Sequence, residues 1–400
     1  MTNIKHNAAE FFAGMGLVRM ALEAPSVGPR FGVAYANDID PNKERIYRRL
    51  FPEDSDHFDP RDIALVRQDD IPRCELWTAS FPCTDLSLAG GRRGIHGGQS
   101  GAVWKMLQLL ADTAPDDKPR HLFFENVPGL LSSNAGADFR SLVTAIKEQG
   151  FGVDVLRVDA SHFTPQSRVR LFLIATQLGR ADTPPTIDPQ SLAPTDARPQ
   201  MILDAMRAAP DLIWHARDLP PLPTRTITLE QIVEDLPADS PLWWSDERAA
   251  YFEQQIHPGH LDRVAALRQG ESVTHVTAFR RVRAIEGAKR SVAEIRFDGV
   301  AGCLRTPKGG SAKQILVQLG LGDLHVRHLT ARECFRLQGV DADPPADTSE
   351  HDLLFALGDA VCVPAVRWAL DQLDAPSTIA TLADVPSRSA PASSIALAAS

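Results

Sequence analysis

The 400-residue chain has few cysteines (five), few tyrosines (three) and only 6% aromatic residues. Cys74, Cys83, Cys303, Cys334 and Cys362 are odd in number and scattered, which argues against a disulfide framework and against zinc spacing. No metal is expected, and a reducing cytoplasm fits. No basic, apolar, small-residue leader opens the sequence, and no apolar run approaches the roughly 18 residues that span a bilayer, so no membrane partner is expected. Positive charge is also in deficit: 42 Lys and Arg stand against 51 Asp and Glu, a net −9. That average alone disfavours a polyanionic partner, but it hides a dipole. Residues 276–332 hold eleven Lys or Arg and four acids, so this segment carries +7 and the rest of the chain −16. Local potential governs docking on a polyanion.

What is present is ordinary for a globular protein, with 44% hydrophobic and 23% charged residues and enough length for two to three domains. Residues 7–12 form a short apolar run, a glycine turn follows, and Leu17, Met20, Ala21 and Leu22 continue as a helix. Strands are expected at 31–36, 76–80 and 121–124, with helices at 41–51, 103–111 and 139–150. Residues 151–158 and 170–175 read as a strand pair. Strands alternating with helices at this spacing predict an α/β fold with a doubly wound, mostly parallel sheet. Prolines then crowd residues 183–241 and the rhythm fades, which marks a second, smaller domain or insertion. The expected division is 1–177, 178–324, a return at 325–374, and a disordered tail at 375–400 rich in Ala, Ser, Thr and Pro.

Four motifs carry chemistry. Ser80-Phe81-Pro82-Cys83 ends an apolar run and opens a glycine-rich segment containing Ser87, Arg92 and Arg93. A thiol at the root of a mobile, cationic flap suits a nucleophile that closes over nucleic acid. Phe12-Ala13-Gly14-Met15-Gly16 sits at a strand-to-helix turn fit for a nucleotide-like ligand. Asp38 follows 22 residues after Gly16, where an acid can accept ribose hydroxyls; a full dinucleotide fingerprint is missing, which favours an adenosyl ligand without pyrophosphate. Glu125-Asn126-Val127 follows the third apolar strand, where exclusion of water favours the protonated acid and hence proton donation. Gln166, Arg168 and Arg170 alternate before another strand, so both guanidinium groups are expected to face one cleft.

The ordered set Phe-x-Gly-x-Gly, Pro-Cys, Glu-Asn-Val and Gln-x-Arg-x-Arg closely resembles the DNA cytosine-5 methyltransferases. Arg327 to Gly339, with Thr330, Arg332, Glu333 and Gln338, resembles the family's penultimate block, and Gly358-Asp359-Ala360-Val361 its last. The resemblance implies S-adenosyl-L-methionine as cofactor and a cytosine flipped out of double-stranded DNA as substrate. It implies Cys83 as nucleophile at C6, Glu125 as the acid at N3, Arg170 at O2, and Arg168 ordering the site. It places Phe12, Gly14, Gly16, Asp38, Ile39, Asp62, Ile63, Asp359 and Val361 around the cofactor. Ser87, Arg92 and Arg93, with Arg280, Arg281, Arg283, Arg305 and Lys308 of the basic run, become expected DNA contacts. The family's habit is a monomeric bacterial modification enzyme, with a cognate restriction endonuclease on a separate chain.

The chain departs from the family pattern at Thr84 and Leu86, where glutamine and an aromatic are usual. Ile39 replaces a tryptophan and Asp359 an asparagine. Three alternatives stay open on the residues alone. An RNA cytosine methyltransferase is disfavoured by the long recognition segment. A non-catalytic DNA-binding regulator is disfavoured by the intact Cys83, Glu125, Arg168 and Arg170. A nicotinamide oxidoreductase lacks the third fingerprint glycine.

Overall fold

Two hydrogen-bonded sheets organise the chain. The computed structural model describes residues 6–23, 31–81, 101–180, 183–285, 287–307 and 313–375. The expected flap with Cys83, Ser87, Arg92 and Arg93, together with Lys308 and residues 376–400, lies outside them.

The first half runs β1 (His6–Phe11), α1 (Leu17–Glu23), β2 (Phe31–Asn37), α2 (Pro41–Leu50), β3 (Phe58–Asp59), β4 (Leu76–Ala79), α3 (Gly101–Asp112), β5 (His121–Asn126), α4 (Ala137–Glu148), β6 (Phe151–Asp159) and β7 (Val169–Gln177). Helices α5 (Gln200–Arg207), α6 (Leu229–Ile232), α7 (Asp246–Gln254) and α8 (Leu261–Arg268) follow. Strands β8 (Thr274–Ile285), β9 (Ala288–Arg296), β10 (Ile315–Gly320) and β11 (Asp323–His328) lead to α9 (Ala331–Leu337), α10 (Glu350–Asp359) and α11 (Val363–Leu370).

The large sheet has the order β3-β2-β1-β4-β5-β7-β6, parallel from β3 to β5, with β7 antiparallel to both its neighbours. The α/β expectation holds. All six residues of β5 are buried, as a strand covered on both faces requires. Phe123 faces a core shared with α1 and α9 to α11, while Leu122 and Phe124 face one shared with α3 and α4. Strand order reverses between β1 and β4. Ligands of open α/β sheets bind at the carboxyl ends of the strands beside such a reversal.

The boundary expected at residue 178 does not coincide with a change of core. Ile187, Leu192, Ile202, Leu203, Met206 and Trp214 join the core of the large sheet. Val153 N–H donates to Ile213 O at 2.9 Å, and His215 N–H to Val153 O at 2.9 Å, so this segment covers the β6 edge. Asp154, fully buried on β6, accepts from both nitrogens of Arg198 that face it (3.3 and 3.0 Å) and from Arg217 N–H (2.9 Å). Removing one member of such a buried pair costs about 3–5 kcal/mol. The proline-rich composition conceals this because the segment docks by buried ions and single bridges rather than by regular strands.

The separate unit is the antiparallel sheet β11-β10-β8-β9, packed on α7 and α8 around Trp244, Phe252, Val276, Ile295, Val317 and Val326. Its own core therefore begins near Trp244, and β11 runs to His328, past the expected limit at 324. The stretch Glu350–Leu370 is apolar enough on average to span a membrane, contrary to the reading of the apolar runs. It is broken into α10 and α11, and over half of it is buried in the core.

Candidate active site

At the β1 end the chain turns sharply. Phe12, Gly14 and Gly16 have φ of 58°, 58° and 88°. Gly16 admits no side chain, since a Cβ there would lie 2.5 Å from the Phe51 ring and 2.9 Å from Tyr47. Ala13 N–H donates to Asn37 O at 2.9 Å, which ties this turn to the end of β2. Asp38 follows β2 directly and is buried. Its Oδ2 accepts from Gly14 N–H (2.8 Å) and its Oδ1 from Asp40 N–H (2.9 Å). Each carboxylate oxygen retains a lone pair for a hydroxyl donor. Ile39, beside it, is 63% exposed, an unusual position for an isoleucine with a buried neighbour.

Lys43 connects the last motif to this corner through a 3.0 Å ion pair with Asp359 at the end of α10. Burial pulls its ammonium down, but Asp38 and Asp359 outweigh that and raise it. Val361 is buried in the core beneath. Asp62 is exposed and accepts from Ala64 N–H at 2.9 Å, while Ile63 is buried among α3 residues. Sequence reasoning missed Glu10. It is buried near the carboxyl end of β1 with neither carboxylate oxygen partnered among the described residues. Burial pushes it up to about 8, against the opposing pull of Arg19. The available signal was one acid between Ala8-Ala9 and Phe11.

This donor set fits S-adenosylmethionine. A buried acid is aimed by two backbone N–H groups, an exposed apolar side chain stands next to it, and an unpartnered carboxyl lies on the strand beneath the turn.

The residues expected to be catalytic lie across the strand reversal. Asn126 Nδ2 donates to Phe81 O at 3.2 Å, joining the exit of β4 to the end of β5. Residues 82 and 83 follow at once. Glu125, at the same end of β5, is buried and forms a 2.7 Å ion pair with Arg170 Nε. The acid expected to stand desolvated is therefore paired. Arg170 can reach it because β7 runs antiparallel beside β5, with Phe172 opposite Glu125.

Arg168 departs from expectation. Its guanidinium is taken up by the backbone: it donates to Leu304 O (2.9 Å), Gly358 O (3.3 Å) and Ala360 O, and lies 3.3 Å from Cys303 Sγ. Gln166 likewise bonds Leu337 O and Leu304 N–H. The cause is that β7 begins at Val169. Arg168 sits in the preceding turn, held by its own N–H to Asp159 Oδ1 at 2.9 Å, so strand alternation does not extend to it. It fastens the loop after β9 to the α10–α11 junction. Contact there is close: a Cβ at Gly358 would fall 2.1 Å from Thr306 N and 2.3 Å from Arg305 C.

Of the expected DNA contacts among the described residues, Arg281 and Arg283 both pair with Glu294, at 3.7 and 2.5 Å. Arg305 is exposed. Arg280 faces the other side of the sheet, over Trp244.

The profile of the C-5 cytosine-specific DNA methylase family matches residues 6–374. The chain belongs to that family. Type II methyltransferase M2.BsuMI of Bacillus subtilis is 35% identical over 144 residues, 35% of each chain. Type II methyltransferase M.Sau3AI of Staphylococcus aureus is 30% identical over 183 residues, 42% of this chain and 43% of its own. The matched stretch thus spans about a third to a half of such relatives. In fold, the chain is similar to the Dnmt2 methyltransferase of S. pombe, with a TM-score of 0.59 at 16% identity over 92% of this chain and 98% of that one.

Proposed function

We propose that this chain transfers a methyl group from S-adenosylmethionine to C5 of a cytosine extruded from double-stranded DNA. The observation that carries the reading is the Glu125–Arg170 pair at the carboxyl edge of β5, bonded through Asn126 to the strand end that leads into Cys83.

Cytosine C5 is a poor nucleophile, so a covalent bond at C6 is needed to enrich it. The Cys83 sulfur adds at C6, and Glu125 supplies the proton at N3 that offsets the charge pushed into the ring. Arg170 holds Glu125 in place and offers its remaining donors to the base's O2. Asp38 and Gly14 hold the adenosyl ribose, with Ile39 against the adenine, Asp62 at its amino group and Asp359 closing the pocket with Lys43. When bound, the sulfonium supplies an electrophilic methyl group. A base takes the C5 proton, its electron pair expels the Cys83 thiolate from C6, and the N3 proton returns to Glu125, which restores the aromatic ring. Extruding the base costs a few kcal/mol, repaid by contacts in the pocket.

The antiparallel unit, residues 243–328, serves as the recognition domain, and residues 1–242 and 329–374 as the catalytic domain. The setting is a bacterial cytoplasm, where the monomer protects DNA from a cognate endonuclease, in keeping with the Type II relatives. The test is incorporation of labelled methyl from S-adenosylmethionine into duplex DNA against tRNA. Label is expected in duplex DNA only; label in tRNA alone would overturn the reading.

A further inference from the structure

The antiparallel sheet carries a cationic cluster that joins Arg280 and Lys313 of the basic run to Arg248 and His328, which no motif singles out. Trp244 precedes α7 and is nearly buried. The Arg248 guanidinium stacks 4.0 Å from its ring centroid, and that of Arg280, from β8, lies at 5.6 Å. His328, the last residue of β11, meets the same ring edge-on at 5.1 Å, with its Nε2 3.5 Å from Arg248. With Nε2 facing a cation, the ring proton belongs on Nδ1, which is buried and turned toward the Gln314 backbone. Burial, then Lys313, Arg248 and Arg280, push this imidazole down to about 4.

None of Arg248, Arg280, Lys313 or His328 forms an ion pair with a carboxylate among the described residues, whereas Arg281 and Arg283 share Glu294. The cluster also adjoins the loop after β9. Gln314, next to Lys313, accepts from Gly302 N–H at 3.1 Å, and Cys303 of that loop touches Arg168. Like charges held together without a counterion are costly unless a ligand supplies the opposite charge.

We propose that Arg248 and Arg280, held over Trp244 with Lys313 close by, seat a backbone phosphate of the DNA duplex. The ligand is a phosphodiester. Two guanidinium groups and an ammonium supply the charge, and the indole fixes the guanidinium planes. The inference rests on the DNA reading above. It ranks Arg280 as a direct contact and demotes Arg281 and Arg283, whose charge is already matched.

The test is binding of a fluorescein-labelled random-sequence duplex across a potassium chloride series. The wild-type protein is compared with R248Q/R280Q, with K313Q and with R281Q/R283Q. A lost phosphate contact makes the slope of log K against log salt shallower by about one. R248Q/R280Q is expected to bind about tenfold more weakly with that change in slope, K313Q in the same direction, and R281Q/R283Q with less than half the effect. If R248Q/R280Q fails to fold, K313Q decides alone, since Lys313 makes no hydrogen bond among the described residues. Wild-type affinity and slope in the folded variants would overturn the seat and leave the methyltransferase reading standing. A wild-type protein that binds tRNA but no duplex would overturn both.

Discussion

Several charges in the doubly wound half are buried and matched, whereas Arg248 and Arg280 at the edge of the antiparallel sheet have no carboxylate partner among the described residues. Glu125 has Arg170, Asp154 has Arg198 and Arg217, and Arg168 is surrounded by carbonyls. Arg327 and Glu333, both fully buried, pair at 2.5 Å where the two halves join. Arg248 and Arg280 instead share one indole ring and repel each other. A matched buried pair has little affinity left for a partner, but it fixes the position of a reacting group. An unmatched surface cluster does the reverse: it fixes nothing until an anion arrives. The first arrangement suits chemistry on one base and the second suits holding a duplex.

Breaking the matched half gives the largest effect. Glu125→Gln keeps the shape of the carboxyl but removes the group that can carry a proton to N3, together with the ion pair, so turnover is expected to fall by about 10²–10⁴-fold. Cofactor affinity should stay near that of the wild type, because Asp38 and the glycine turn are untouched. Steady-state methyl transfer together with calorimetric cofactor titration checks the split, and a comparable loss in both would place Glu125 in the fold rather than in the reaction.

A smaller effect sharpens the comparison at Glu10, the one buried acid among the described residues whose carboxylate oxygens have no hydrogen-bond partner. Its folded pKa of about 8 lies above the ordinary 4.5, so the folded state keeps a proton that the unfolded chain releases first. Stability is therefore fully present below about 4.5 and is lost as pH rises toward about 8, by a few kcal/mol in all. Glu10→Gln should flatten that slope. Urea unfolding at several pH values reads it directly, and an unchanged slope would mean that the carboxyl finds a partner when it ionises. The ordering then ends with the charge-matched Arg281 and Arg283, whose replacement should matter least.

Much of the catalytic half was legible because strand ends are marked locally. Phe12 to Gly16, Asp38 and Glu125 each follow an apolar run, and the sheet order brings those ends to one edge. Arg168 was misread because alternation was extended one residue beyond the start of β7. The boundary at 178 was misplaced because Asp154, Arg198 and Arg217 look like surface charges until they are seen buried together. Of the cluster on Trp244, only the basic run holding Arg280 and Lys313 was legible. Arg248 and His328 are 80 residues apart, and only the pairing of β10 with both β8 and β11 brings their neighbours to one end of the sheet. Local patterns report where a strand stops, while clusters of this kind depend on register that the sequence does not display.

The central claim is a transient bond between the Cys83 sulfur and C6 of cytosine, and trapping on duplex DNA containing 5-fluorocytosine tests it most directly. With S-adenosylmethionine present, the wild-type protein is expected to form a denaturation-resistant complex with that DNA and Cys83→Ser none, although the variant still binds the cofactor. Methyl transfer by Cys83→Ser at the wild-type rate, or turnover on normal DNA with no trapped complex on the fluorinated duplex, would contradict the account.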